Sequence, residues 1–265
     1  RLEMARPGRV ITRETFADVL RFLPREAVVM LSGLGDPLTN PYLDEFVGAL
    51  TAAGISSCIV TNGILLSSER QRTLCAAGIA QIQISYHAAH EATYDSIVVR
   101  GGDRARLEAN LDHLAANRAC GLRVRLNFVE TPENIRERGA VEARARALGF
   151  DLFVRRRHGR GGTIASERAH PAPPVCGMFA SVTFITAQGD VLCCVNDVKH
   201  TGRMGHVSSL SWPELVAKKR QVIEEDRWFD ACRCCDDDFR WVPLVDGTLD
   251  SRRGQNQGDR CGGVR

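Results

Sequence analysis

The feature that most constrains the fold is a regular alternation of two kinds of segment over the first 160 residues. Apolar stretches rich in β-branched residues alternate with segments rich in Ala, Leu, Arg and Glu, which predicts strands alternating with helices. The predicted strands are Ala27–Ser32, Ser57–Thr61, Ala80–Tyr86, Arg123–Val129 and Asp151–Arg157. The predicted helices are Arg13–Phe22, Tyr42–Ala53, Ser68–Ala77, Arg104–Ala119 and Arg136–Leu148. This rhythm predicts an α/β fold with a parallel sheet and right-handed crossovers.

Two of the predicted strands carry polar side chains on one face and apolar side chains on the other. Residues 81–85 alternate between Gln or Ser and Ile, and residues 123–128 alternate between Arg or Asn and Val, Leu or Phe. A parallel strand covered by helices on both faces is usually apolar throughout. We therefore expect a partial barrel whose polar strand faces line a lumen. For either strand taken alone, a solvent-exposed edge strand is the simpler alternative.

Polar and glycine-rich residues follow several of the predicted strands. The first of these strands ends in Gly33, Gly35, Asp36 and Pro37. Later strands end in Thr61-Asn62 and in Ser85, and the predicted strand Arg123–Val129 carries Asn127. Glycines let a ligand approach the backbone, and α/β sheets bind ligands at the carboxyl ends of their strands. A glycine-rich turn with an aspartate is also a common tight turn, so this motif is a weak signal by itself.

The C-terminal third of the chain is rich in cysteine. Its grouped cysteines are Cys176, Cys193, Cys194, Cys232, Cys234 and Cys235. Such close groups indicate metal ligation rather than disulfides. By spacing alone, four cysteines in two groups fit a structural zinc site as well as an iron–sulfur cluster. The isolated Cys58, Cys75 and Cys120 are predicted to be buried free thiols.

The cysteines lie in a region that lacks the strand–helix alternation of the first 160 residues, which indicates a second domain. Residues 159–174 are rich in Gly, Arg, Ala and Pro and predict a linker. Ser181–Leu192 predicts a hairpin, and Trp212–Glu225 predicts a helix capped by Ser211. The predicted domains are a partial barrel over 1–160, a small α+β metal-binding domain over 161–245 and a disordered tail over 246–265.

Taken in order, these motifs resemble the radical S-adenosylmethionine (SAM) family over roughly residues 1–240. The segment Gly33–Pro37 is similar to that family's Gly-Gly-Glu-Pro motif, and Arg157–Gly162 is similar to a His-x-x-Gly-Gly segment of many members. Thr61-Asn62-Gly63 is also common in the family. The cysteine spacing around Gly189 resembles the auxiliary-cluster domain called SPASM, or its shorter form, twitch.

The resemblance implies two cofactor sites. It assigns SAM binding to Gly33, Gly35, Asp36, Pro37, Thr61, Asn62, Ser85 and Asn127. In the family, a carboxylate in the place of Asp36 commonly accepts the SAM amino group, and a hydroxyl like that of Ser85 meets the SAM carboxylate or ribose. It assigns one auxiliary [4Fe–4S] cluster to Cys176, Cys194, Cys232 and Cys235, with Cys193 and Cys234 as alternates.

The resemblance also implies an activity. Family members generate a 5′-deoxyadenosyl radical that abstracts a hydrogen atom, and the auxiliary cluster assists oxidation or substrate binding. The implied reaction is dehydrogenation of an alcohol or modification of a peptide by an oxidoreductase or maturase. The implied partners are a small-molecule or peptide substrate and an electron donor such as flavodoxin or ferredoxin. No catalytic residue is assigned, and a non-catalytic, zinc-stabilised α/β binding protein is the alternative.

One family motif is missing from this sequence. The C-x-x-x-C-x-x-C loop that holds the catalytic [4Fe–4S] cluster would precede residue 1, and the first cysteine here is Cys58, within a predicted strand. The resemblance therefore implies an N-terminally truncated fragment without the first barrel strand, or else an inactive relative. On its own, this chain is not expected to cleave SAM.

Bulk composition excludes several other classes of protein. The 265 residues are 44% hydrophobic, enough for one large domain with a small appendage. A net charge of +3 gives little support for nucleic-acid binding. The sequence has no apolar run long enough to span a bilayer, so we expect no membrane partner and a cytoplasmic location.

Overall fold

The computed structural model describes residues 10–98, 103–119, 121–164 and 176–238. These residues form two compact units. The sheet unit comprises the described residues of Arg25–Arg157. The cysteine unit comprises the described residues before Arg25 together with those from His158 onward.

The elements of both units follow in chain order. The strands are β1 Val28–Leu31, β2 Ser56–Thr61, β3 Gln81–Ser85, β4 Arg123–Glu130, β5 Asp151–Arg156, β6 Phe184–Ile185, β7 Asp190–Leu192 and β8 Arg203–His206. The helices are α1 Arg13–Phe22, α2 Leu43–Ala52, α3 Ser68–Ala77, α4 Glu91–Ile97, α5 Arg104–Asn117, α6 Arg138–Leu148, α7 Gly177–Ser181, α8 Trp212–Glu224 and α9 Asp230–Arg233. Two 3₁₀ turns occur at Pro37–Thr39 and Ile135–Glu137.

The sheet unit is built on five parallel strands in the consecutive order β1-β2-β3-β4-β5. Consecutive parallel strands joined through helices are the arrangement of a (β/α) barrel wall. The predicted α/β fold is therefore confirmed, and the sheet is consistent with a partial barrel.

The two faces of the sheet differ in the way that the alternating residues predict. On one face Ile59 pairs with Ile82, and Ile84 pairs with Leu126, and these side chains are fully buried in the main apolar core. Helix residues such as Leu111 join the same core. The opposite face carries the polar residues of β3 and β4, so it can contribute polar groups to a ligand site.

Most helix ends lie within two residues of their predicted positions, and local capping explains the differences. The predicted helix over 136–148 begins at Arg138 because Ile135–Glu137 forms a 3₁₀ turn. The predicted helix over 104–119 ends at Asn117 because Arg118 leaves helical geometry. The short helix α4 was not predicted, since one buried residue, Tyr94, gives it no helical periodicity.

The cysteine unit combines a small antiparallel sheet with helices. Strands β6 and β7 form the predicted hairpin, but both are shorter than expected, and Ser181 belongs to α7 instead. Strand β8 extends this sheet beyond the prediction. The apolar core includes edge-to-face contacts of Phe22 with Trp212 at 5.5 Å and Phe179 with Trp228 at 5.4 Å.

Several predictions concern residues that the structure does not describe. Residues 165–174 of the predicted linker, the predicted tail over 246–265 and Cys120 lie outside the described residues. Where the chain is described, it contains no helix with the length and apolarity needed to cross a membrane.

We predict opposite effects for two glycine-to-alanine substitutions in the sheet unit. Gly78 has φ +92° and its added Cβ would lie 2.6 Å from Thr51 Oγ1, so Gly78→Ala should lower the free energy of unfolding by about 1–3 kcal/mol. Gly48 lies within α2 and has open space for a Cβ, so Gly48→Ala should raise it by about 0.5–1 kcal/mol. Urea unfolding of both variants measures the two changes in the free energy of unfolding. Equal changes would contradict the left-handed backbone conformation of Gly78.

Candidate functional site

Asp36 joins the end of β1 to the end of β2 through its carboxylate. Oδ1 accepts the backbone N–H of Leu38 at 2.9 Å and caps the following 3₁₀ turn. Oδ2 accepts the Thr61 hydroxyl and the Asn62 backbone N–H, both at 2.7 Å. The carboxylate has about four acceptor positions, so one remains for an incoming donor. Three of the predicted SAM-binding residues thus meet at the carboxyl edge of the sheet.

Packing within the protein does not require the two residues Gly33 and Gly35 before Asp36 to be glycine. Gly33 and Gly35 are both exposed. A Cβ at Gly35 would meet no atom within 4 Å, and one at Gly33 would touch only the backbone of Gly35 at 3.7 Å or more. Pro37 follows as the first residue of the 3₁₀ turn. The protein itself would tolerate side chains here, so open backbone is available to a ligand.

Thr61 and Asn62 serve the turn that follows β2. The buried Thr61 hydroxyl donates to Asp36 and accepts the backbone N–H of Gly63 at 3.0 Å. The exposed Asn62 turns its Oδ1 to the backbone N–H of Ile64 at 2.9 Å. Both residues therefore help to hold the end of β2 in place.

Ser85, the last residue of β3, pairs with Asn127, which lies within β4. Asn127 Nδ2 donates to Gln83 Oε1 at 3.1 Å, and Gln83 Nε2 donates to Gln81 Oε1 at 3.2 Å. This amide chain runs along the polar face of the sheet. Within the described part of the chain, its two outer atoms, Asn127 Oδ1 and Gln81 Nε2, are buried without a hydrogen-bond partner. Unsatisfied buried polar atoms at a strand end are candidates for ligand contact.

The loop after β3 is held by two buried residues. Asn134 Nδ2 donates to the carbonyl oxygens of His87 and Val129, both at 2.9 Å. Glu137 Oε2 accepts the backbone N–H of Ala89 at 2.7 Å. Burial raises the pKa of Glu137, but hydrogen bonds from a neighbouring hydroxyl and backbone N–H groups outweigh it and leave the pKa lowered. No sequence pattern identified Glu137, because its role depends on a loop 48 positions away.

In the cysteine unit, Cys194 lies among other predicted ligands. Burial raises the pKa of its thiol to about 12, and the charges of Cys235 and Cys176 act in the same direction. The backbone N–H of Asn196 donates to Cys194 Sγ at 3.4 Å and opposes the rise. The backbone N–H of Asp237 likewise donates to Cys235 Sγ at 3.5 Å. Such N–H···S bonds stabilise thiolates that bind metal.

Cys193 has a different environment from its neighbour Cys194. It is buried, and its Sγ lies 3.9 Å from Asp197 Oδ2. Its hydrogen bond with Cys232, together with burial, raises the pKa of the Cys193 thiol. Asp197 is in turn fixed by the backbone N–H groups of Thr201 at 3.0 Å and Gly202 at 2.7 Å. A carboxylate beside it favours a protonated Cys193.

The predicted ligands share one unit but are not gathered around one point. In the described ranges, no three or more His, Cys, Asp or Glu side chains lie close enough to hold a single metal ion. Cys234 is exposed, whereas Cys176, Cys232 and Cys235 are partly buried. The four predicted ligands are all thiols of this unit and two of them accept backbone N–H bonds, which is a donor type that iron–sulfur clusters use.

Buried polar groups surround the cysteines. Asp236 and Asp237 follow Cys235 and are 2% and 3% exposed. Asp236 accepts the backbone N–H of Gly159 at 2.7 Å, and Asp237 accepts Asn196 Nδ2 at 2.9 Å. These bonds hold the 159–164 segment, the Cys194 loop and the Cys235 segment together.

The Gly-Gly segment identified in the sequence packs against this network. Gly162 has φ +81°, and a Cβ there would lie 2.8 Å from Cys234 Cβ. Only glycine combines this backbone conformation with such a close approach.

Lys219 is a buried cation in the same unit. It lies on α8, its side chain is 8% exposed, and its ammonium donates to Val182 O at 2.7 Å and Thr183 Oγ1 at 3.1 Å. Burial lowers its pKa to about 8, and the charge of Cys194 opposes this change. At neutral pH the ammonium therefore remains largely protonated. No sequence pattern distinguished it from the other lysines and arginines of this helix.

Comparison with known proteins identifies the family. The profile of the Radical SAM superfamily matches residues 3–137, more than half of the 265-residue chain. The chain belongs to the Radical SAM superfamily. This match includes Asp36 and the ends of strands β1 to β4, so the resemblance seen in the motifs is confirmed at the family level.

A similar curated protein is a PqqA peptide cyclase from Gluconobacter oxydans. It is 31% identical over 150 residues, which is 56% of this chain and 41% of the cyclase. The alignment thus spans about two fifths of that relative.

Solved structures share the fold. Streptococcus suis SuiB bound to its precursor peptide SuiA superposes with a TM-score of 0.65 at 13% identity, covering 93% of this chain and 68% of SuiB. BtrN in complex with AdoMet and 2-DOIA gives a TM-score of 0.56 at 17% identity, covering 93% and 88%. The radical SAM fold predicted from the sequence is therefore confirmed.

Proposed function

We propose that this chain takes part in radical SAM modification of a peptide, with SAM at the strand ends and an auxiliary [4Fe–4S] cluster in the cysteine unit. The observation that carries the proposal is the pair of N–H···S bonds to Cys194 and Cys235 in a Radical SAM superfamily member. When bound, SAM supplies the 5′-deoxyadenosyl radical of the family and the auxiliary cluster supplies a one-electron redox centre or a binding point.

The strand-end residues would bind and orient SAM. Asp36 has an acceptor position left for the SAM ammonium group, and the exposed backbone of Gly33 and Gly35 allows close approach. Ser85 at the end of β3 and the unpaired Oδ1 of Asn127, its partner in β4, would contact the polar remainder of SAM. Thr61 and Asn62 support Asp36 from the adjacent strand.

Cys176, Cys194, Cys232 and Cys235 would hold the auxiliary cluster. Cys194 is favoured over Cys193 because the backbone N–H of Asn196 stabilises its thiolate, whereas Cys193 faces the Asp197 carboxylate. A protonated Cys193 would instead donate to the Cys232 sulfur. Cys234 is exposed and would remain a spare thiol.

A peptide is the substrate that the relatives favour. The Gluconobacter oxydans relative is a PqqA peptide cyclase, and SuiB was solved with a precursor peptide. Oxidation of a small alcohol, as an oxidoreductase, is a second candidate because the family resemblance of the cysteine unit implies it. Either reaction would use a protein electron donor such as flavodoxin or ferredoxin.

Substituting Asp36 tests the SAM site. Asp36→Ala should weaken SAM binding by about tenfold or more, because a hydrogen bond from a charged ammonium contributes about 1.5–3 kcal/mol. Isothermal titration of anaerobic protein with SAM measures this. Thr39→Val is the matched control: it removes a hydroxyl that donates to the backbone carbonyl of Asp36 and leaves the carboxylate contacts in place, so affinity should stay within about threefold. Equal losses in both variants would mean that Asp36 acts only through the fold.

Serine substitutions test the ligand choice. After anaerobic reconstitution with iron and sulfide, Cys194→Ser should lose most of the bound iron and the brown absorbance, because an alkoxide ligand is a poor substitute for a thiolate. Cys193→Ser and Cys234→Ser should keep both. Loss in Cys193→Ser with retention in Cys194→Ser would reverse the assignment, and bound zinc without iron in every variant would favour the zinc-stabilised binding protein.

A further inference from the structure

The strands of the sheet unit carry more positive than negative charge on their polar face. Side chains alternate between the two faces, so the register places Arg123, Arg125 and Arg155 on this face with one carboxylate, Asp151. Burial raises the pKa of Cys58, a thiol of the same face, to about 12, so that group stays neutral. An excess of positive charge on a sheet face favours an anionic ligand.

The guanidinium of Arg125 contacts an aromatic ring in place of a carboxylate. Arg125 is partly buried and is paired with Asp151 across β4 and β5. Its Cζ nevertheless lies 5.9 Å from the centroid of the Phe153 ring, and among the described residues it forms no hydrogen bond or ion pair. An aromatic ring orients a guanidinium and leaves its N–H donors available to a planar anion.

The buried amides beside Arg125 also lack an acceptor. Gln83, its partner on β3, is 6% exposed and bonds both Gln81 and Asn127 through its side-chain amide. Gln81 is 2% exposed, and its Nε2 has no hydrogen-bond partner within the described ranges. An enclosed donor without an acceptor calls for an explanation. The Arg125 guanidinium and Gln81 Nε2 are both donors, so this part of the face suits a ligand that supplies acceptor oxygens.

We propose that Arg125 is a specificity-determining residue that binds a carboxylate side chain of the peptide substrate on the polar face. This inference rests on the proposed function and narrows its substrate to a peptide with Asp or Glu near the modified residue. The N–H donors of a guanidinium form a fork that matches the two oxygens of a carboxylate. Asn127 lies two residues further along β4, so a substrate anchored at Arg125 would extend towards the residues assigned to SAM.

The test compares two small probes that differ only in the acidic group. N-acetyl-glutamate N-methylamide and its glutamine counterpart are titrated into the chain by nuclear magnetic resonance, with SAM present. We expect the wild-type chain to bind the glutamate probe about tenfold more tightly, because only this probe forms charge-assisted bonds with Arg125. Arg125→Gln should remove the preference. Arg125→Lys keeps the charge without the fork and should retain the preference in part.

Arg123→Gln is the matched control. It removes an equal charge from the same strand and face at an exposed position, so the preference should stay within about threefold of wild type. An equal loss in Arg123→Gln would overturn the proposal, because the effect would then come from general charge. Thermal unfolding is measured for every variant, and Arg125→Lys replaces Arg125→Gln if the latter does not fold.

SAM has a carboxylate of its own, so SAM affinity is measured in the same variants by isothermal titration. We expect Arg125→Gln to change it by less than about threefold. A tenfold loss would assign Arg125 to the SAM carboxylate and overturn the substrate assignment. Equal binding of both probes by the wild-type chain would also overturn it, while leaving the radical SAM proposal in place. Failure of the wild-type chain to bind SAM would instead count against the proposed function.

Discussion

The structure of the sheet unit depends on the difference between the two faces of its parallel sheet, one of which packs into an apolar core that helix residues join. The helix-facing side carries aligned Ile and Leu residues such as Ile82 and Leu126, which are fully buried. This packing leaves the other face free for polar residues that a sheet covered on both sides would exclude. The amide chain from Gln81 to Asn127 follows that face and ends beside Ser85. The candidate SAM site is thus a consequence of the same asymmetry that builds the core.

The cysteine unit differs from the sheet unit because it places its thiols in a small, partly buried core. Short elements there leave many backbone groups to be satisfied, and Asp197 and Asp236 accept several of them, while Asp237 accepts the side-chain amide of Asn196. The Asp197 carboxylate also gives two neighbouring cysteines different electrostatic surroundings. Cys193 lies against Asp197, while Cys194 accepts the backbone N–H of Asn196. Two adjacent cysteines therefore differ in how readily they become thiolates.

Much of the sheet unit could be predicted from the sequence because its signals are local. The helices over 13–22 and 68–77 begin and end as predicted, with side-chain caps at Thr12 and Ser67 that are visible in the sequence. The roles of Glu137 and Lys219 could not be predicted, because each depends on partners more than 30 positions away along the chain. The short strand β8 was missed since four residues around a glycine carry little strand signal.

The central claim is that the cysteine unit binds an iron–sulfur cluster. Native mass spectrometry of the anaerobically reconstituted chain tests it most directly, since the added mass identifies the bound group. The account predicts an added mass of about four irons and four sulfides per chain. A chain that carries one zinc, or no added mass at all, would contradict it and leave the radical SAM fold without an auxiliary cluster.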